Sequence, residues 1–169
     1  MENNNIINMS GIIRESIVDG PGFRFTIFVQ GCPHGCPGCH NPNTHSTFGG
    51  YKISVDDVIS QIKDAPLISG VTFSGGEPFM QPIPLTLLSK KIHNLGYNII
   101  CYTGYTYENI LDSNSKDKIK LLSNIDILID GPFDISMRSI DLKFRGSLNQ
   151  RVIDVKKSLE YSKIVEIDF

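Results

Sequence analysis

Cys32, Cys36 and Cys39 stand within eight residues, in the run Gly31-Cys32-Pro33-His34-Gly35-Cys36-Pro37-Gly38-Cys39-His40. Thiolates at this spacing are soft ligands able to close around one metal centre. Disulfides between such near neighbours would close loops too small to restrain much chain entropy. Three thiolates can hold three irons of a four-iron cluster and leave the fourth open to a substrate. The interleaved Gly31, Gly35 and Gly38 let the backbone turn around an inorganic core that a Cβ would crowd. The same residues admit a second reading, a structural Cys3His zinc site that recruits His34 or His40. The spacing leaves both open. Cys101, flanked by Ile100 and Tyr102 in an apolar stretch, reads as a buried core thiol.

A second chemical run is Ser74-Gly75-Gly76-Glu77-Pro78. Paired glycines let a ligand approach the backbone, whose N–H and C=O groups bind carboxylate and amino functions. Glu77 adds a charge suited to a zwitterion. Taken alone, the run is equally a strand-to-helix turn. It matches neither a Walker loop nor the dinucleotide fingerprint, so nucleotide phosphates are not its obvious ligand. Two further loops, Thr103-Gly104-Tyr105 and Asp130-Gly131-Pro132, carry Asp130, which either hydrogen-bonds a ligand or caps the turn that follows. His40 either packs its loop or contacts a ligand. His45 and His93 read as loop or surface residues.

These runs need elements to place them. Residues 23–30 are rich in aromatic and β-branched types and form a strand that runs into Gly31. Ser54, with Asp57 three residues on, opens a helix whose Val55, Val58, Ile59 and Ile62 share one face. Val71–Ser74 is a short buried strand ending at the glycine pair. Leu85, Leu88, Ile92 and Leu95 mark a second amphipathic helix capped by Gly96. Tyr97–Tyr102 is a strand, 106–122 a helical region broken near Ser113–Ser115, and Ile125–Asp130 a further strand. Lys156–Tyr161 reads as helix and Ile164–Phe169 as a last strand. Strands alternating with helices imply crossover units and a parallel sheet. The expectation is an α/β fold: a single domain over 1–169, shaped as an open, partial parallel β/α barrel with its functional loops at the strands' C-terminal ends.

The composition suits a globular chain: 169 residues, 40% hydrophobic and 20% charged. A net charge of −2 offers no electrostatic case for nucleic acid. No apolar run reaches the length of a membrane span, and the polar opening MENNNIINMS lacks the pattern of a secretory signal. The cytoplasm is the expected compartment.

The three cysteines followed by Gly75-Gly76-Glu77-Pro78 resemble the radical S-adenosylmethionine superfamily. That resemblance implies a [4Fe-4S] cluster on Cys32, Cys36 and Cys39, whose open iron chelates the methionine amino and carboxylate groups of S-adenosyl-L-methionine. It places Gly38, Cys39 and His40 against the adenosyl part, and Gly75, Gly76 and Glu77 at the methionine part. Asp130 would reach the ribose or the methionine part. Val18-Asp19-Gly20-Pro21-Gly22 is similar to the opening of glycyl-radical activating enzymes. Activators of enzymes such as pyruvate formate-lyase carry an aromatic residue before the third cysteine, and Gly38 departs from that pattern. Pro37-Gly38 is similar to the ribonucleotide reductase activators, as are Tyr102–Tyr105, Leu128–Phe133 and Phe144–Arg151. The resemblance implies a 5′-deoxyadenosyl radical that takes hydrogen from a glycine. Its implied partners are the large subunit of an anaerobic ribonucleotide reductase and an external one-electron reductant such as flavodoxin. Arg145, Asn149 and Arg151 would position cofactor or partner, or tie down the C-terminal segment. A zinc-stabilised binding module without catalysis is the competing reading of another class.

Overall fold

Successive side chains of a strand point to opposite faces of its sheet, and here the two faces differ in chemistry. Phe25, Ile27, Val71, Phe73, Ile99, Cys101 and Leu128 alternate with Thr26, Thr72, Ser74, Ile100, Tyr102 and Ile129. The computed structural model describes residues 4–169; Met1, Glu2 and Asn3 of the polar opening segment lie outside the described residues. The strands are β1 (Ile6–Ser16), β2 (Arg24–Val29), β3 (Tyr51–Ser54), β4 (Gly70–Gly75), β5 (Asn98–Tyr102), β6 (Ile127–Asp130) and β7 (Arg151–Asp154). They form one open sheet in the order β3-β1-β2-β4-β5-β6-β7.

The wholly parallel sheet expected above is not what forms. Strands β2, β4, β5 and β6 run parallel, while β1, β3 and β7 pair antiparallel at the two flanks. A short connection joins β1 to β2, and only antiparallel neighbours can be joined so. At the other flank the chain returns from β6 through irregular structure, and β7 pairs antiparallel beside it. Ile164–Phe169 is not a strand either. It touches the sheet through a single bridge between Ile153 and Glu166, with Ile167 N–H donating to Val152 C=O at 2.9 Å.

The helices are α1 (Val55–Lys63), α2 (Pro82–Asn94), α3 (Tyr107–Asp112), α4 (Lys116–Leu122) and α5 (Val155–Tyr161). Ser54 caps α1 by accepting the Asp57 N–H. Asn114, at φ +54°, breaks the helical region between α3 and α4. The helices pack on one face: Val58, Ile62, Leu88, Ile92 and Leu121 meet Phe25, Ile27, Val71, Phe73 and Ile99 in the main core. The opposite face buries a smaller cluster, Ile100, Ile129 and Val152, beneath Phe144, Ile167 and Phe169. Its remaining length, where Phe28, Ser74 and Tyr102 lie at the C-terminal ends of parallel strands, forms the floor of a cavity. Among the described residues no helix is long and apolar enough to cross a membrane.

Candidate metal centre

Parallel strands carry their following loops to one rim, and four such loops meet here. A cavity of about 520 Å³ is walled by Cys32, Cys36 and Cys39 after β2, Gly75 and Gly76 after β4, Thr103 and Gly104 after β5, and Gly131 and Phe133 after β6. His40 is also in the wall, its ring 5.0 Å from that of Phe133. The three thiols are free and half-buried, whereas Cys101 is fully buried on the helix side, where burial pushes its thiol well up. Burial also raises the Cys32 thiol, opposed by backbone N–H groups of His34 and Gly35 directed at the sulfur. Asn41 N–H donates to Cys39 Sγ at 3.4 Å. Backbone donors aimed at sulfur stabilise thiolate, the form that binds metal.

Three free thiols on one cavity wall form a donor set that fits an iron–sulfur core. Thiols spread around a shared cavity suit a larger inorganic body with one thiolate per iron. Gly38 lies at φ +73°, and a Cβ there would stand 2.7 Å from Ile135 Cδ1. The tight turn between the second and third cysteines therefore requires glycine.

Glu77 lies behind the wall rather than in it. Its carboxylate has no exposed surface and accepts from Thr103 Oγ1 at 2.9 and 3.0 Å, Gly104 N–H at 2.9 Å and Phe79 N–H at 2.9 Å. The imidazole of His34 completes the set. Glu77 thus joins the loops after β2, β4 and β5 from within, with its oxygens fully engaged. Gly76 is pinned the same way. Its N–H donates to Val29 C=O and the Glu77 N–H to Gly31 C=O, both at 2.8 Å. A Cβ on Gly76 would lie 2.2 Å from Gly31 O.

Asp130 is not brought to the cavity. It is buried on the helix side, accepting Tyr107 N–H at 2.7 Å at the start of α3 and the Arg151 guanidinium at 2.5 and 3.0 Å. The Tyr107 contact caps the start of α3 rather than the turn that follows Asp130. Arg145 Nη1 donates to Gln150 C=O and Asn149 Nδ2 to Pro132 C=O, each at 2.7 Å, so both tie down the segment between β6 and β7. Thr103 and the bridging use of His34 had no signal in spacing. They emerge because β5 lies beside β4.

Comparison with known proteins assigns the class: an iron–sulfur domain. Residues 18–153 match the family described as 4Fe-4S single cluster domain. The chain is 36% identical over 143 residues to the anaerobic ribonucleoside-triphosphate reductase-activating protein of Vibrio cholerae, covering 79% of this chain and 89% of that one. The Escherichia coli K12 protein of the same name is 34% identical, over 80% of this chain and 91% of its own. That of enterobacteria phage T4 is 30% identical, over 86% and 93%. The chain belongs to the family of anaerobic ribonucleoside-triphosphate reductase-activating proteins.

Proposed function

We propose that this protein activates an anaerobic ribonucleotide reductase, as a single radical S-adenosylmethionine domain of partial-barrel type spanning 1–169. The observation that carries the reading is the convergence of three free thiols and the Gly75-Gly76 loop on one cavity, in a chain whose relatives bear that name. Held by these residues, a [4Fe-4S] cluster with S-adenosyl-L-methionine would supply the radical chemistry, a 5′-deoxyadenosyl radical able to take hydrogen from a glycine of the reductase large subunit.

This chain's residues hold, orient and shield. Cys32, Cys36 and Cys39 each hold one iron. Because the Gly76 N–H is already committed to Val29, Gly76 offers a ligand its carbonyl, the polarity an ammonium group needs. Glu77 positions that loop instead of touching the ligand, and Asp130 has no part in binding. Gly38, Cys39 and His40, with Phe133 beside them, border the space assigned to the adenosyl part. Exposed apolar side chains adjoin residues of the cavity wall in sequence: Ile17 beside Val18, and Ile140 two residues before Leu142. They suit a docked protein segment. The electron comes from an external donor such as flavodoxin.

The test combines reconstituted protein, reductant, S-adenosyl-L-methionine and the reductase subunit without oxygen, followed by electron paramagnetic resonance. A glycyl doublet should form on the reductase and vanish when its radical glycine is changed to alanine. A doublet formed on pyruvate formate-lyase but never on the reductase overturns the choice of partner. Reconstitution with zinc but not iron overturns the whole reading.

A further inference from the structure

Arg145 is the one lysine or arginine in the cavity wall and Asp19 the one carboxylate, yet the two do not pair. Asp19 accepts from Ser16 Oγ, and among the described residues no acidic side chain forms an ion pair with Arg145. Arg145 Nη1 donates to Gln150 C=O at 2.7 Å, whereas Nε and Nη2 have no acceptor. Among the described side chains that are not exposed, Thr26 Oγ1 and His45 Nε2 alone are buried without a partner, so the two free nitrogens of the half-buried Arg145 are accessible. A guanidinium with two adjacent donors open presents a fork to two neighbouring oxygens.

The chain holds this fork in place at a conformational cost. Phe144 lies at φ +57°, a left-handed conformation that a bulky residue keeps only under constraint. Tyr102, itself in the wall, donates its hydroxyl to Phe144 C=O at 2.5 Å, and burial pushes the phenol up, so it stays a donor. The Phe144 ring meets that of Phe169 edge-on, with 5.3 Å between centroids. On the other side of Arg145, a Cβ on Gly146 would stand 2.9 Å from Phe133 Cδ2 and 3.4 Å from His40 Cε1, the residues that border the adenosyl space. Arg145 thus stands on the adenosyl side, while the Gly75-Gly76 loop follows β4, two strands away from β6. Asp130, the residue expected at the ribose, is engaged with Arg151 on the helix side. We infer that Arg145 binds the ribose of S-adenosyl-L-methionine, Nε and Nη2 donating to the 2′ and 3′ hydroxyl oxygens, and that Tyr102 is the residue that positions it. The inference rests on the S-adenosyl-L-methionine reading of the cavity.

The test is isothermal titration of the reconstituted protein with S-adenosyl-L-methionine and with its 2′-deoxy, 3′-deoxy and decarboxylated analogues. The parent should bind each deoxy analogue about tenfold more weakly than S-adenosyl-L-methionine. Arg145→Met, which keeps length and removes the donors, should bind S-adenosyl-L-methionine about tenfold more weakly and no longer distinguish the deoxy analogues from it. A general loss of stability leaves that ratio unmoved. Tyr102→Phe, which releases the turn at Phe144, should lower the discrimination severalfold at parental iron content. If the Met variant cannot retain iron, Arg145→Lys carries the comparison: an ammonium cannot reproduce the fork, so affinity and discrimination should both fall. Parental discrimination in the Arg145 variant, or a parent indifferent to both deoxy analogues, overturns the inference. So does a variant that loses discrimination against the decarboxylated analogue alone, which would give Arg145 to the methionine carboxylate. Parental discrimination in Tyr102→Phe overturns the positioning role. A parent that binds no S-adenosyl-L-methionine defeats the reading of the cavity itself, a distinguishable failure.

Discussion

His34 Nε2 lies 2.6 Å from Glu77 Oε2, tying the cysteine loop to the glycine-rich loop through a carboxylate that no water reaches. The contact is possible because residue 104 is glycine: a Cβ there would stand 2.4 Å from His34 Cδ2. Three loops that follow different strands are thus locked by one side chain. A charged group so buried is tolerated only when its hydrogen bonds are complete, and here each oxygen has at least two partners.

Removing that joint should be costly. Glu77→Ala leaves the Thr103 hydroxyl, two backbone N–H groups and His34 without their acceptor. A loss of about 3 kcal/mol in stability is expected. Thermal unfolding of the cluster-free protein measures it, and iron retention should fall in parallel because the cysteine loop loses its anchor. Glu77→Asp should recover part of both. A Glu77→Ala protein of parental stability that fails only in cofactor binding would put the carboxylate back among the ligand contacts.

Gly76 carries two demands, and the sequence displays only one. Its spacing suggests room for a ligand, but the structure adds a backbone wall at Gly31, within 2.2 Å of any added Cβ. Even Gly76→Ala should therefore displace the loop after β2 and lower iron content together with affinity for S-adenosyl-L-methionine. Iron analysis and isothermal titration decide this. Full iron loading with weakened cofactor binding would show that ligand approach is the only demand.

What was legible in the chain follows from how local each signal is. β2, β4, β5 and β6 announce themselves as short apolar runs closed by glycine or Asp-Gly, and α1 by its capping serine and one-sided valines and isoleucines. β1 escapes because register shifts at Met9/Gly11 and Ile13/Ser16 spoil its alternation. β3 and β7 are four-residue strands whose place is fixed only by neighbours distant in sequence. β7, Arg151–Asp154, takes the edge position, leaving Ile164–Phe169 a single bridge. In the site, the cysteines and glycines could be read because spacing is local. Asp130 was ambiguous because its partners Tyr107 and Arg151 lie 23 and 21 residues away, and His45 was silent because its pairing with Cys32 exists only in three dimensions.

Asp130 and Glu108 share Arg151, and that gives a prediction in pH. Hydrogen bonding to Arg151 holds the Glu108 carboxyl at about 2, below its usual 4.5. A carboxyl depressed in the folded state stabilises above its ordinary pKa, and that gain is lost as pH falls from about 4.5 toward 2. Glu108 is half exposed, so screening limits the gain to about 1 kcal/mol or less. Arg151→Ala should remove this acid-sensitive part and strand the buried Asp130, costing about 3 kcal/mol near neutral pH. Chemical denaturation across that pH range checks both. Iron content should stay parental, since neither carboxylate enters the cavity wall; a variant of parental stability with lost cofactor affinity would return Asp130 to the site.

The mouth of the cavity gives the last prediction. Ile17 is 68% exposed and Ile140 88%, near Val18 and Leu142, which are in the cavity wall from opposite flanks of the sheet. Water contact on this scale is unfavourable for large apolar side chains, and docking of the reductase would bury them. Ile17→Glu and Ile140→Glu add a charge that a docked segment would have to desolvate. Each should weaken binding to the reductase subunit on the order of tenfold, ~1.4 kcal/mol, and reduce the glycyl signal at limiting subunit. Iron content and reductive cleavage of S-adenosyl-L-methionine without the reductase should match the parent, because neither side chain is in the cavity wall. Leu67→Glu is the control: Leu67 is 62% exposed, and neither it nor its neighbours Pro66 and Ile68 are in the cavity wall. If Leu67→Glu weakens the complex as much as the mouth variants do, or if those variants bind normally, the reductase does not dock across this mouth.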